Sequence, residues 1–209
     1  MHPSGDEDVG EARDTLSRLL RIRTAAAHGA VEASLGLPQA IDSRAGYIAC
    51  LRRFHGLYRP VEARLHAFAG WSSLGIDLAT RSLAARLAAD LGRLHADPDA
   101  CPDAPPEATP DLPTFAHALG ALYVLQGSAL GGPRIRRHLI ETGLEEHAER
   151  CAFFGAGGAD VGALWRAFRD TLDRYGRTCP DTIPAVIAGA ERTFVVVGRW
   201  MDASSWRNM

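Results

Sequence analysis

His28 is the side chain of this sequence best placed to do chemistry. It stands within Ala25-Ala26-Ala27-His28-Gly29-Ala30, a run of small residues on a helical pattern, where a large flat molecule has room to lie against the helix. A neutral imidazole is a common axial ligand of iron. Glu32 follows at i+4, so its carboxylate can reach the ring nitrogen that does not hold a metal, fix the tautomer and raise the ligand's basicity. Arg21 precedes at i−7 on the same stripe, and its guanidinium can pair with a carboxylate at the edge of a bound ring. Taken alone, His28 and Glu32 also fit a simpler reading: a partly buried, hydrogen-bonded histidine and a solvated helix residue.

A second unusual segment is Gly127-Ser128-Ala129-Leu130-Gly131-Gly132, in the middle of a long helical pattern. Each glycine there costs about 1 kcal/mol relative to alanine, a cost that marks close backbone approach or a bend. Gly127 and Gly131 are one turn apart and share a face without side chains, so a planar ligand on that face would touch the backbone itself, with Ser128 beside it. A helix crossing that needs small residues is the alternative. Pro133 follows, removing a backbone donor and disfavouring helix at Gly132, which predicts a sharpened kink or a reshaped pocket.

Other chemistries lack their residues. His66, His95, His117 and His138 have no carboxylate partner at a spacing that repeats between helices, and His55, after Phe54, can face the core. No Glu-x-x-His pair supports a di-iron bundle, and a nucleophilic triad, a Walker loop and a dinucleotide fingerprint are missing. Cys50, Cys101, Cys151 and Cys179 are too far apart for a zinc site and read as ordinary thiols of a reducing cytosol. The formal net charge of -2 argues against nucleic acid as a partner. The polar, acidic start MHPSGDEDVGEARD lacks the features of a secretory signal, and no apolar run is long enough to span a membrane. These features predict a cytoplasmic protein with a disordered tail over residues 1–11 and one domain over 12–209.

The elements that position these residues read as helices throughout. Asp14 or Thr15 can cap the first, which carries His28 and ends at Gly36 and Pro38. Ser43 can cap a second, bearing Tyr47, Leu51, Phe54, Tyr58, Val61, Leu65 and Phe68, kinked at Pro60 and closed by Gly70. Residues 78–95 give an amphipathic stretch with leucines at 83, 87, 91 and 94. Six prolines between Ala96 and Pro113 make a surface connection. Thr114 opens the glycine-interrupted helix, which Gly143 ends, and two more follow over about 160–175 and 183–202. The Val195-Val196-Val197 run lies on a helical pattern rather than a strand.

Three stretches together resemble the heme oxygenase family: LRIRTAAAHGAVE its proximal helix, LGALYVLQGSALGG its glycine-rich distal helix, and AERTFVVVGRWM its closing helix, in matching order from about residue 15 to 202. The resemblance implies an all-α, single-domain helical bundle with heme between the proximal and distal helices. It implies His28 as the iron ligand, Glu32 as its hydrogen-bonding neighbour, and Gly127, Ser128 and Gly131 as the distal catalytic face. Arg21 matches a position that meets the heme propionates. Further basic partners fall among Arg166, Arg169, Arg174 and Arg177, with Arg174 and Arg177 as the candidates.

The implied reaction is oxygen-dependent opening of heme, at once cofactor and substrate, to biliverdin with release of carbon monoxide and ferrous iron. Electrons would come from a ferredoxin or flavoprotein reductase. The GS-x-LGG form is similar to the bacterial branch, including enzymes that supply biliverdin to a bacteriophytochrome. Ser128 departs from the aspartate that many members place there, leaving proton delivery unassigned. A heme carrier or sensor on the same fold, and a related fold without heme, remain the alternatives.

Overall fold

The computed structural model describes residues 14–154 and 158–202, which are helical with no strand among them. The tail expected over residues 1–11 lies outside the described residues. Helix α1, Leu16–Leu35, starts where the Thr15 hydroxyl accepts from the Arg18 amide and stops where Gly36 turns left-handed (φ 59°). Helix α2, Arg44–His66, is capped by Ser43 and runs through Pro60, ending before Gly70 rather than at it. Helix α3, Leu83–Arg93, begins later than its hydrophobic pattern suggests, with Ser82 as its cap. Ahead of it the Asp77 carboxylate accepts from the Ala79 amide and the Thr80 hydroxyl donates to the Asp77 carbonyl, which holds that stretch as a turn. The proline-rich connection is two short 3-10 turns, pinned to α2 by the Ala104 amide on the Gly56 carbonyl and by Arg59 on Asp99 and Asp103.

Helix α4, Phe115–Ser128, follows its Thr114 cap, and a 3-10 turn, Ala129–Gly131, joins it to α5, Gly132–Glu141. Pro133 therefore sits in the first turn of a new helix, where its missing N–H needs no partner. It starts α5 rather than kinking one long helix. Gly143 turns the chain at φ 79° into a short helix the sequence did not signal, α6, Glu145–Arg150. Helix α7, Gly158–Thr178, and helix α8, Ile183–Trp200, complete the order, with Val195–Val197 helical.

The core is organised around α4 and α8. An added Cβ on Gly120 would stand 1.9 Å from the Val186 carbonyl oxygen, and one on Gly189 2.1 Å from that of His117, so the two backbones cross in contact. Helix α1 also packs along α8, with His28 edge-on to Phe194 and Val31 against Gly198, and it meets α4 where Thr24 lies beside Tyr123. Helix α7 closes on α1 through Gly176 against Leu16 and through the Asp173 carboxylate, which accepts from the Ser17 amide (2.7 Å) and hydroxyl. Among the cysteines, Cys50 and Cys151 are buried, and none forms a disulfide.

Candidate functional site

The small residues around His28 remain uncovered in the fold. Ala25, Ala26, Gly29 and Ala30 are exposed on α1, and nothing lies within 4 Å of a Cβ built on Gly29. His28 is itself 56% exposed, and its Nδ1 lies 3.6 Å from Glu32 Oε2, a carboxylate 62% exposed. That spacing is too long for a hydrogen bond but close enough for one turn of side-chain adjustment to make it. With Nδ1 on the Glu32 side, Nε2 is the nitrogen left for a ligand. The Phe194 ring, 5.8 Å away and nearly perpendicular, limits where the imidazole can swing.

The glycine-rich turn splits into three different environments. Gly132 is the packing glycine: an added Cβ would collide with the Phe154 carbonyl at 2.0 Å. A Cβ added to Gly127 would stand 3.5 Å from the Trp165 ring, an ordinary contact distance. Gly131 meets nothing within 4 Å and has an ordinary helical backbone (φ −70°, ψ −12°). Neither its conformation nor its packing within the chain calls for glycine. The backbone there faces open space, with Leu130 exposed alongside.

The two faces are linked through Tyr123. Its phenol lies beside Thr24, whose own hydroxyl donates to the Leu20 carbonyl (2.7 Å). One turn beyond Thr24 on α1 is His28; one turn beyond Tyr123 on α4 is Gly127, and Gly131 follows in the 3-10 turn after the helix. Burial pushes the Tyr123 phenol above its ordinary range, while Thr24 and the nearby charges of Arg169 and Arg21 pull it back. The Trp165 ring packs on Tyr123 at 5.4 Å, flooring the region between them. Arg21, Arg169 and Tyr123 thus form one cationic, hydrogen-bonding corner beside an apolar wall, the chemistry that receives a carboxylate-bearing planar molecule.

The arginines expected on α7 divide on this geometry. Arg169 shares the Trp165 side of the helix, whereas Arg174 lies about 140° around it at 100° per residue and donates to the Thr171 hydroxyl (2.8 Å). Arg177 is exposed in the last turn of α7, and Arg166 borders Gly162. The structure brings Arg21 and Arg169 to Tyr123 and leaves Arg174 and Arg177 away from it. On the turn itself, the Ser128 hydroxyl donates to the Leu125 carbonyl (2.7 Å) and accepts from the buried Tyr58 hydroxyl (3.0 Å). Burial raises the Tyr58 phenol beyond its usual range despite that bond, so it stays a proton donor. Sequence reasoning did not assign Tyr123, Trp165, Tyr58 or Phe194 to the site. The stripe Tyr123, Gly127, Gly131 at intervals of four was the signal available for the first.

Comparison with known proteins identifies the fold and the family. The solved structure of the NO- and CO-bound heme oxygenase from Neisseria meningitidis matches 90% of this chain and 92% of its own, with a TM-score of 0.66 and 21% identity, which establishes a common fold. No curated protein matches the sequence. The model of the family described as heme oxygenase matches residues 14–203, taking in α1 with His28, the turn with Gly131 and the whole of α8, and on that match this protein belongs to the heme oxygenase family.

Proposed function

We propose that this chain degrades heme to biliverdin, carbon monoxide and ferrous iron, using oxygen and electrons from a ferredoxin or flavoprotein reductase. One observation carries the reading: His28 offers Nε2 from a bare stretch of α1, and Gly131 is a glycine that neither its φ nor its neighbours require, so both elements present backbone-smooth surface to something other than this chain. A heme seated there finds His28 as iron ligand, Glu32 at the far ring nitrogen, and Arg21, Arg169 and Tyr123 at the corner for its propionates. Gly131, with Gly127 beside it against Trp165, would leave the opposite side of the ring clear for oxygen. Ser128, supplied by Tyr58, is the hydroxyl placed to hold a proton or an ordered water on that side. Heme supplies the iron and the ring that is opened; the protein supplies orientation and protons.

Ferric heme added to the purified chain should give a Soret shift that saturates near one equivalent and is weakened and displaced in His28→Ala. With oxygen, a ferredoxin, its reductase and catalase, the band should then decay as biliverdin and carbon monoxide accumulate. A bacteriophytochrome apoprotein is the biliverdin acceptor to test. The carrier or sensor reading is favoured by Ser128, whose proton already goes to the Leu125 carbonyl where other members place a carboxylate. A stable oxy complex that reverts to ferric heme without carbon monoxide would select it. Absence of any Soret shift would remove both readings.

A further inference from the structure

A cavity of about 200 Å³ lies apart from the His28 face, between α2, α3 and α6, lined by Arg44, Tyr47, Asp90, His95, Glu146 and His147 among others. Its interior is polar in a way the fold does not explain. Tyr47 is 1% exposed, and the one group its hydroxyl meets is the Cys151 thiol, a weak hydrogen-bonding partner. The His147 Nε2 is also buried and unpartnered, its ring 6.0 Å from that of Tyr47. A buried polar atom left unpaired costs about 1–3 kcal/mol, and an unpartnered imidazole nitrogen beside a hydroxyl that meets only a thiol points to an occupant that pairs them.

The charges around the cavity select the sign of that occupant. The Asp90 carboxylate is consumed internally: it accepts from the Ala152 and Phe153 amides (2.7 and 2.8 Å) and from Arg93 (2.6 Å). Glu146 is exposed. Arg44 is held over the cavity by one of its five donors, on the Leu94 carbonyl (2.6 Å), and the others remain for a ligand. His95 completes the rim as the left-handed residue (φ 51°) that ends α3, with its amide on the Gly92 carbonyl and the Ala96 amide on the Leu91 carbonyl. Burial raises the Tyr47 phenol beyond its usual range, which keeps it a donor. Among the described residues no group of His, Cys, Asp and Glu could hold a metal ion.

We propose that this cavity binds a small oxyanion, with the Arg44 guanidinium as its charge partner and the Tyr47 hydroxyl and His147 Nε2 as hydrogen-bonding groups at its floor. The test is calorimetric titration of the full chain with inorganic phosphate and, separately, with acetate, in a buffer containing neither. One ion should bind saturably, phosphate marking a phosphoryl group and acetate a carboxylate as the natural ligand's anionic end. Tyr47→Phe should weaken that binding about tenfold while leaving the melting temperature nearly unchanged, because the hydroxyl it removes has only the weakly bonding Cys151 thiol beside it in the free protein. Arg44→Gln should weaken it by at least as much. The arginine corner around Arg21 and Arg169 is the competing anion sink, so Arg169→Ala serves as the control. Binding lost in Arg169→Ala but retained in Tyr47→Phe and Arg44→Gln would overturn the proposal, as would the absence of saturable binding by either ion.

Discussion

Helix α4 and the 3-10 turn that follows it carry glycines that do opposite jobs. Near its middle, Gly120 lies so close to α8 that an added Cβ would overlap the Val186 carbonyl and crowd the Ala190 amide at 2.7 Å; just past its C-terminal end, Gly131 faces open space. The first glycine is required by the protein's own packing and the second is not. A glycine with no internal reason is informative about a ligand, whereas one locked into a crossing is informative only about the fold. The largest expected effect follows from the packed end. Gly120→Val forces backbone away from backbone, and overpacking of this kind should destabilise the chain by about 3 kcal/mol or more. At this chain length that is a fall in Tm of roughly 6–12 °C, read by thermal unfolding, with heme stoichiometry unchanged in the fraction that remains folded.

The open end makes a claim about binding rather than folding, and α7 sharpens it. Arg169→Ala removes a charge from the Tyr123 corner and should weaken heme affinity by about tenfold, the scale of one charge-assisted hydrogen bond. Arg174→Ala removes a side chain that bonds Thr171 on its own helix and should leave affinity within about twofold. Equal losses in both variants, measured by Soret titration, would mean that the corner is not where the propionates sit.

Gly131→Ala tests the comparison at its most sensitive point. The native backbone conformation suits alanine, so without heme the variant should be more stable by about 0.4–1 kcal/mol, from the smaller conformational freedom of its unfolded chain. Heme affinity and oxygen binding should move the other way, since the new methyl projects into the space the ligand needs. A variant that gains stability and binds heme like the parent would return Gly131 to the status of an ordinary surface residue.

How much of this was legible in the sequence depends on whether the signal was local. Thr15, Ser43 and Thr114 were readable as caps because a cap is a local hydrogen bond, and all three cap their helices. The start of α3 was not, because the Asp77 turn competes with a good hydrophobic period. The break at 129–131 was signalled by glycine content, but its form as a 3-10 turn with Pro133 opening a new helix is set by the tertiary contact of Gly132 with Phe154. Within the site, His28 and Glu32 were legible from i+4 spacing on one helix. The division of the α7 arginines was not, because it depends on which side of α7 meets α4, and that is decided by Trp165 against Tyr123 and Gly127. Tyr58 was visible only as a core residue; its bond to Ser128 joins α2 to the turn after α4 and has no trace in local spacing.

The smallest effect belongs to Glu32. Both members of the His28 and Glu32 pair are more than half exposed, and at 3.6 Å the carboxylate acts on the imidazole through partly screened solvent. A carboxylate hydrogen-bonded to a ligating histidine commonly alters metal affinity by one or two orders of magnitude when the pair is buried and fixed. Here the exposed, longer contact lowers the expectation to a few-fold in heme affinity for Glu32→Gln. The more sensitive observable is the ligand itself: the glutamine amide preserves the size of the side chain but not its charge, so imidazole basicity should fall and the ferric state should lose stability relative to the ferrous. The reduction potential of the bound heme should therefore rise, while His28→Ala abolishes the normal axial signature altogether. If the potential is identical in the parent and Glu32→Gln proteins, Glu32 is a solvated helix residue, and His28 holds its orientation through the Phe194 ring alone.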